Sequence, residues 1–499
     1  MYKLFTVIIL FLLHTTVYTQ TDTMCGLIWG PIIKLSSDTV NGYNPDIAAQ
    51  GDTIHISWRP NENGLKLPYV TSRDNGLSFE NPVNLMPDSL GNYPVFYKDI
   101  VANDDNVYII FIPPGSRGRP LYFIKSSNRG IMWGPPVRIE NSDSTTQIWD
   151  VAMWGDSLTV IYRDFSHIET FLINSSNGGL SWFKPLSNNV GNTENKMGIT
   201  SNFFYRLHKV HFPSEGYEIA MSCSSNFGDT WMDTLLLSQR DGHSGAYPLF
   251  GNGKNETNLN NLFCSWDDTK YGCTGSFSGC SIILRRNIGE TQWWEDEQVL
   301  TDQPDGTNRG NISTRNNRVC TVWEKDLSNA TSNIEFKYSL DYGETWSAVC
   351  TPSGNSDTLN SGGPEFAVSN TAFHIVWGER KMGHYGIYYR RGTPATSVAN
   401  ENFSPHNSFV LEQNYPNPFN PQTAIGFSLL AVGNVTLKVY DIYGKEVATL
   451  INNKHYEAGK YSVEWNAEVY ASGMYFYRMT ATDKRNNVIT QAKKMLLLK

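Results

Sequence analysis

The stretch "SLDYGETW", residues 339–346, decides how the rest of the chain is read. Asp341 is placed to accept hydrogen bonds from backbone amides ahead of it, and Gly343 can take a positive φ because it has no Cβ. Trp346 has no acid–base chemistry; it offers a large apolar face for burial. These are the parts of a stapled hairpin turn. The same S-x-D/N-x-G pattern recurs in "SRDNGLSF" (72–79), "SSNRGIMW" (126–133), "SSNGGLSW" (175–182) and "SSNFGDTW" (224–231), with a degraded copy, "RRNIGETQW", at 285–293. The acid or amide positions are Asp74, Asn128, Asn177, Asn226 and Asp341, and the central glycines are Gly76, Gly130, Gly179, Gly228, Gly289 and Gly343. They repeat about every fifty residues with strand-like flanks, the mark of a β-propeller with one four-stranded blade per repeat.

The segments between turns sharpen this. Seven strand-like runs end in an aromatic residue: Trp58, Phe111, Tyr162, Phe212, Trp266, Trp323 and Trp377. The seventh set, 364–392, has no turn of its own and no fourth strand. "IWGPIIKL" (28–35) looks like the turn tails "MWGPPVRI" and "SFENPVNL", so the N-terminal strand is expected to complete that last sheet. Closing the ring this way leaves no free edge. The expected fold is all-β: a seven-bladed propeller, with six blades as the alternative, followed by a β-sandwich.

The repeated turn resembles the Asp-box, or BNR repeat, best known from sialidases. In those families the box lies away from the active site and implies the fold, not the chemistry. The resemblance also explains the six-bladed alternative, since sialidases have six blades.

Composition narrows the function classes. The 499 residues carry a net charge of −8, which gives no basic field for nucleic acid. The 14 Trp, 26 Tyr and 41 Gly suit short strands and turns. Lys3 followed by "LFTVIILFLL" (4–13) reads as a signal peptide over residues 1–19, cleaved before Gln20. No other run is long and apolar enough to cross a membrane, so the mature chain is expected to have no transmembrane segment. Seven cysteines in an exported chain permit disulfides, and Cys273 with Cys280 in one Gly-rich loop are a candidate pair. No ligand spacing for a metal is present, and no cofactor is expected.

Residues 393–408 are polar and read as a linker. From 409 to 499, alternating runs such as "VTLKVYDIYGKEVATL" and "GMYFYRMTA" read as strands. "NYPNPFNP" and the terminal "KKMLLLK" make this segment resemble the C-terminal sorting domain of type IX secretion cargo from Bacteroidetes-type bacteria. The resemblance implies an immunoglobulin-like sandwich, the type IX machinery as a partner, and a secreted or outer-membrane-surface location.

Sialidases hold the substrate carboxylate with three arginines, attack through a Tyr assisted by a Glu, and use an Asp as acid/base. The R-I-P stretch that carries their first arginine is missing; "SWRP" with Arg59 is the nearest match. Candidates for chemistry are the charged residues that follow the aromatic strand ends: Arg59, Arg163, Arg380, Asp164, Asp267 and Glu324, expected to face a central funnel. Trp58, Trp266, Trp323 and Trp377 are first of all core, and otherwise a rim on which a sugar stacks. Two function classes follow: a surface module that binds glycan or a surface protein, or a divergent exo-sialidase-like glycoside hydrolase.

Overall fold

The computed structural model describes residues 22–395 and 409–499, interrupted by short loop segments of which 188–194, 252–260 and 272–280 are the longest. The expected signal peptide, the candidate Cys273–Cys280 pair and the expected linker from 396 onward therefore lie outside the described residues. No α-helix occurs among the described residues, and no helix is long and apolar enough to cross a membrane. The chain divides into two compact units, up to residue 398 and from 399 onward.

In the first unit the strands fall into seven consecutive antiparallel groups. Groups 1 to 5, over residues 42–84, 97–138, 146–187, 195–236 and 245–299, are separate four-stranded sheets. Groups 6 (307–339) and 7 (360–394) are joined by one parallel bridge, Ser332 to Asn360, into a nine-stranded sheet. Cys350 supplies an isolated fourth-strand bridge to Phe336 in group 6. Group 7 is completed from the other end of the chain. Leu27–Trp29 pairs with Gly392–Pro394, and Ile33–Lys34 pairs with Tyr388 and Tyr389. Thr393 and Pro394, expected to open the linker, are instead the end of strand His384–Pro394, because Leu27 and Ile28 give that backbone its ladder partners.

Both faces of these strands are buried: Val107–Ile112 reads as a continuous apolar run, and in Ile54–Trp58 even the alternating His55 and Ser57 are covered. The buried side chains form clusters shared by neighbouring groups. Tyr69 and Ile109 sit between groups 1 and 2, Ile110 and Val160 between 2 and 3, and Ile161 and Met197 between 3 and 4. Leu207 and Trp266 join groups 4 and 5, Leu284 and Val319 join 5 and 6, and Phe336 and Ile375 join 6 and 7. Ile56, Val376 and Tyr389 then join group 7 back to group 1. The first strand of each group also abuts the first strand of the next, and Asn360–Val368 of group 7 abuts Gly42–Gln50 of group 1. The order is cyclic, with the first strands innermost.

The turns act between groups. In each described copy the serine Oγ accepts the glycine N–H at 2.8–2.9 Å (Gly76, Gly130, Gly179, Gly228, Gly343), and the Asp or Asn oxygen accepts the N–H four residues on. Two consecutive residues are left-handed, for example Tyr342 at φ 60° and Gly343 at φ 80°. At four of the five described copies glycine is needed at the second of these for space as well as for φ; at Gly343, where the nearest atom would be 3.6 Å from a Cβ, φ alone requires it. A Cβ on Gly130 would sit 2.0 Å from the Tyr69 hydroxyl of group 1, and one on Gly76 would sit 1.8 Å from the Tyr389 hydroxyl of group 7. The closing aromatics are half-buried; Trp133 meets Tyr69 edge-on at 4.9 Å and Phe79 meets Tyr389 at 4.7 Å. The first four turns are thus pressed onto the preceding group.

A disulfide joins Cys25 to Cys350, with 5.9 Å between their Cα atoms and 325 residues of chain between them. Beside it the Tyr338 hydroxyl donates to the Cys25 carbonyl at 2.8 Å, and Asp22 pairs with Arg390 at 2.7 Å. The N-terminal hairpin is fastened to groups 6 and 7.

The second unit has a three-stranded sheet (Phe409–Leu411, Gln422–Leu429, Gly459–Asn466) and a four-stranded one ordered Glu446–Tyr456, Gly433–Tyr440, Gly473–Asp483, Val488–Leu497. Phe427, Leu437, Trp465, Tyr477 and Met479 share one core. The two sequence signatures meet: the Phe419 N–H donates to the Leu496 carbonyl, the Leu498 N–H to that of Phe419, and the Leu496 N–H to Asn417 Oδ1, all at 2.9–3.0 Å.

Candidate functional site

Five first strands carry a β-bulge at the same position: between Tyr43 and Asp46, Ile148 and Asp150, Ala246 and Leu249, Asn308 and Asn311, and Gly362 and Glu365. A bulge puts extra residues outside the ladder and bends the strand. Four of these stand opposite Trp58, Trp266, Trp323 and Trp377, and the fifth is beside Tyr162. Pro45, Pro248 and Pro364 are tolerated in these inner strands because a bulged residue needs no ladder N–H. The residues before them are left-handed: Asn44 at φ 45°, Tyr247 at 48° and Gly363 at 59°. For tyrosine that is an outlier, and backbone strain of this kind gathers at functional sites.

The bulges surround a cavity of about 400 Å³ on the axis, lined by Asn44, Gln147, Trp149, Lys196, Tyr247, Asn311, Glu365 and the three prolines. Its size falls within the range of small-ligand sites, ~300–1,000 Å³. A narrower space of about 60 Å³ shares Lys196, Leu249, Asn311 and Glu365 with it and reaches Asp150 and Phe366.

Charge in the cavity is settled internally. Lys196 Nζ donates to the Trp149 carbonyl at 3.1 Å and lies 3.3 Å from Asp150 Oδ1, whose other oxygen accepts the Met197 N–H at 2.8 Å. Asn311 Nδ2 donates to Glu365 Oε2 at 2.5 Å. Asp46 accepts the N–H of Ile47 at 2.9 Å and of Ile100 at 2.8 Å. These side chains tie the first strands of groups 1 and 2, 3 and 4, and 6 and 7 together around the axis.

The residues singled out from sequence lie elsewhere. Trp58, Trp266, Trp323 and Trp377 are 3%, 1%, 1% and 0% exposed. They offer no face on which a sugar could stack; they fill the space behind the bulges. The indole N–H groups of three of them are met by carboxylates: Trp266 by Asp268 at 3.0 Å, Trp323 by Glu335 at 2.8 Å and Trp377 by Glu379 at 2.9 Å. Arg59, Arg163 and Arg380 stand on second strands opposite Tyr43, Gln147 and Asn360, and none of the three lines the cavity. The Arg380 guanidinium lies 5.7 Å from the centre of the Tyr385 ring. Asp164 and Asp267 are buried within their sheets. Glu324 backs the first strand of group 7, where a Cβ on Gly362 would come within 2.9 Å of its carboxylate. The expected funnel is one strand further in than these residues, because the first strands line the axis and the second strands stand behind them. The missed signal is a second repeat, "NPDIAA", "YKDIVA", "IWDVAM" and "GPEFAV", which holds Asp46, Asp99, Asp150 and Glu365.

Residues 413–494 match the family described as secretion system C-terminal sorting domain. The tail is a type IX sorting domain, and it marks the chain for secretion or display at the outer-membrane surface. No curated protein matches the chain. Similar solved structures include a protein of unknown function from Dyadobacter fermentans, with a TM-score of 0.44 and 12% identity over 74% of this chain and 100% of that one. A Trypanosoma rangeli sialidase in complex with sialic acid gives 0.43 and 10% over 91% and 84%. An α-L-arabinofuranosidase from Podospora anserina in complex with cellotriose gives 0.33 and 11% over 54% and 99%.

Proposed function

We propose that the first unit is a seven-bladed β-propeller of the Asp-box type, that the tail is an immunoglobulin-like sandwich, and that residues 1–19 are a signal peptide. The cyclic order of shared cores and abutting first strands supports the blade count. The exported propeller acts as a binding module at the cell surface, with its ligand site in the axial cavity. One observation carries this reading: among the described residues no arginine lines the cavity, and its lysine is already paired with Asp150. A sialidase needs a convergent set of guanidinium groups to hold a carboxylate.

A second reading, a divergent glycoside hydrolase, is favoured by the presence of Tyr247 and Glu365 in the same cavity. Purified mature protein incubated with a fluorogenic sialoside separates the two. No turnover is expected. Robust turnover abolished by Arg59→Ala or Tyr247→Phe would replace the binding module with an enzyme.

A further inference from the structure

From the same geometry, and resting on the axial cavity being the ligand site, we infer that its ligand is the uncharged, hydroxyl-rich end of a glycan and not a sialylated or otherwise anionic one. The lining supplies what such a ligand uses. Asn44 and Gln147 bring side-chain amides, which both donate and accept, while the Asn311 amide is held by Glu365 and the Ile312 N–H. Three bulges contain proline, so each of them puts two carbonyl acceptors outside the ladder against a single N–H, on Asn44, Tyr247 or Gly363. Hydroxyl groups donate to carbonyls; a carboxylate has nothing to donate and is repelled by them. Tyr247 and Trp149 add aromatic surface, and Tyr247 stays 36% exposed although most large side chains on these strands are buried.

The charges argue the same way. Lys196 and Glu365 are committed to Asp150 and Asn311 at 3.3 Å and 2.5 Å. An anion entering the cavity would have to break the lysine's ion pair, and a cation would have to take Glu365 from its amide donor. A neutral ligand breaks neither. A wholly apolar ligand would desolvate the Asn44 and Gln147 amides without giving them hydrogen-bond partners.

The strain at Tyr247 supplies a test that separates binding from folding. At φ 48° glycine is the favoured residue. Tyr247→Gly therefore removes the ring and relieves the backbone in one change.

The experiment uses the full mature chain on an array of neutral, sialylated, uronic-acid and amino-sugar glycans, followed by calorimetric titration of the best binder. Expected are binding to neutral glycans, a loss of about tenfold or more in Tyr247→Gly and in Gln147→Ala, and an unchanged or higher Tm for Tyr247→Gly. Lys196→Ala completes the set, since Lys196 lines the cavity and carries the positive charge an anionic ligand would seek. Preferred binding of sialosides or uronates, lost in Lys196→Ala, would overturn the ligand class and leave the cavity as the site. Neutral-glycan binding untouched by Tyr247→Gly and Gln147→Ala would overturn both. No binding to any glycan would overturn the ligand class.

Discussion

The outer turns and the axial strands of the first unit are built on opposite principles. The five described turns repeat one hydrogen-bond pattern almost without variation, and four of them press a glycine onto the group before it. The axial strands share a bulge position but not its contents: Asn44-Pro45 in group 1, Trp149 in group 3, Tyr247-Pro248 in group 5, Gly363-Pro364 in group 7. Repetition holds the ring together, and departure from repetition makes a cavity with chemistry of its own. The aromatic strand ends belong to both regions, since they pack the groups and prop up the bulges.

The largest effect is expected where the repetition must close on itself. Replacing Cys25 and Cys350 by serine removes a cross-link spanning 325 residues. It should cost about 4 kcal/mol in chemical unfolding, and ligand binding below the new midpoint should persist. An unchanged midpoint would mean that strand pairing alone closes the ring.

Next come the turn glycines. Gly130→Ala places a methyl 2.0 Å from the Tyr69 hydroxyl at φ 76°, and overpacking with a left-handed residue should cost about 3 kcal/mol. Gly155→Ala, at φ 53° with open space around it, should cost about 1 kcal/mol. Equal losses at the two sites would show that φ alone, and not contact with the preceding group, makes the turn glycine necessary.

Acid should weaken the seams between groups 1 and 2 and between groups 7 and 1. His55 and His374 are each hydrogen-bonded to a tyrosine, Tyr69 and Tyr389, at 2.7 Å. Burial, with a smaller contribution from Arg73 or Arg391, holds both histidines down to about 3 from the ordinary 6.5. The folded state therefore keeps them neutral while the unfolded chain takes up protons. Stability should fall as pH drops from about 6.5 towards 3, and His55→Gln should flatten that slope in pH-dependent unfolding. A slope unchanged in this variant and in His374→Gln would locate acid sensitivity elsewhere.

The smallest effect separates the acidic turns from the amide ones. Burial raises the carboxyl of Asp341, but hydrogen bonds from Ser339, Thr345 and the Thr345 and Glu344 amides outweigh it and hold the group below its usual range. Its contribution is complete above the unfolded value of 3.8 and is lost as pH falls below it. Asp341→Asn, which copies Asn177 and Asn226, should lose only a few tenths of a kcal/mol at neutral pH and remove that acid dependence. A loss as large as that of Gly130→Ala would contradict the equivalence of the turns.

By itself the sequence determined what local chemistry determines. The turns are legible because serine, Asp or Asn and glycine satisfy one another within eight residues, and their period implies repeated four-stranded units. The N-terminal tail copy at 28–35 is legible for the same reason, as is the sorting domain through "NYPNPFNP" and the terminal leucines, whose meeting at Phe419 and Leu496 only the fold reveals. Tertiary structure decided the rest. Which aromatic face is exposed depends on what lies behind a strand, so Trp58 and Trp377 could not be told from a sugar platform until the neighbouring groups covered them. Cys25 finds Cys350 across 325 residues because the ring brings its ends together. The cavity residues come from six different groups, and only closing the sheets around one axis makes them neighbours.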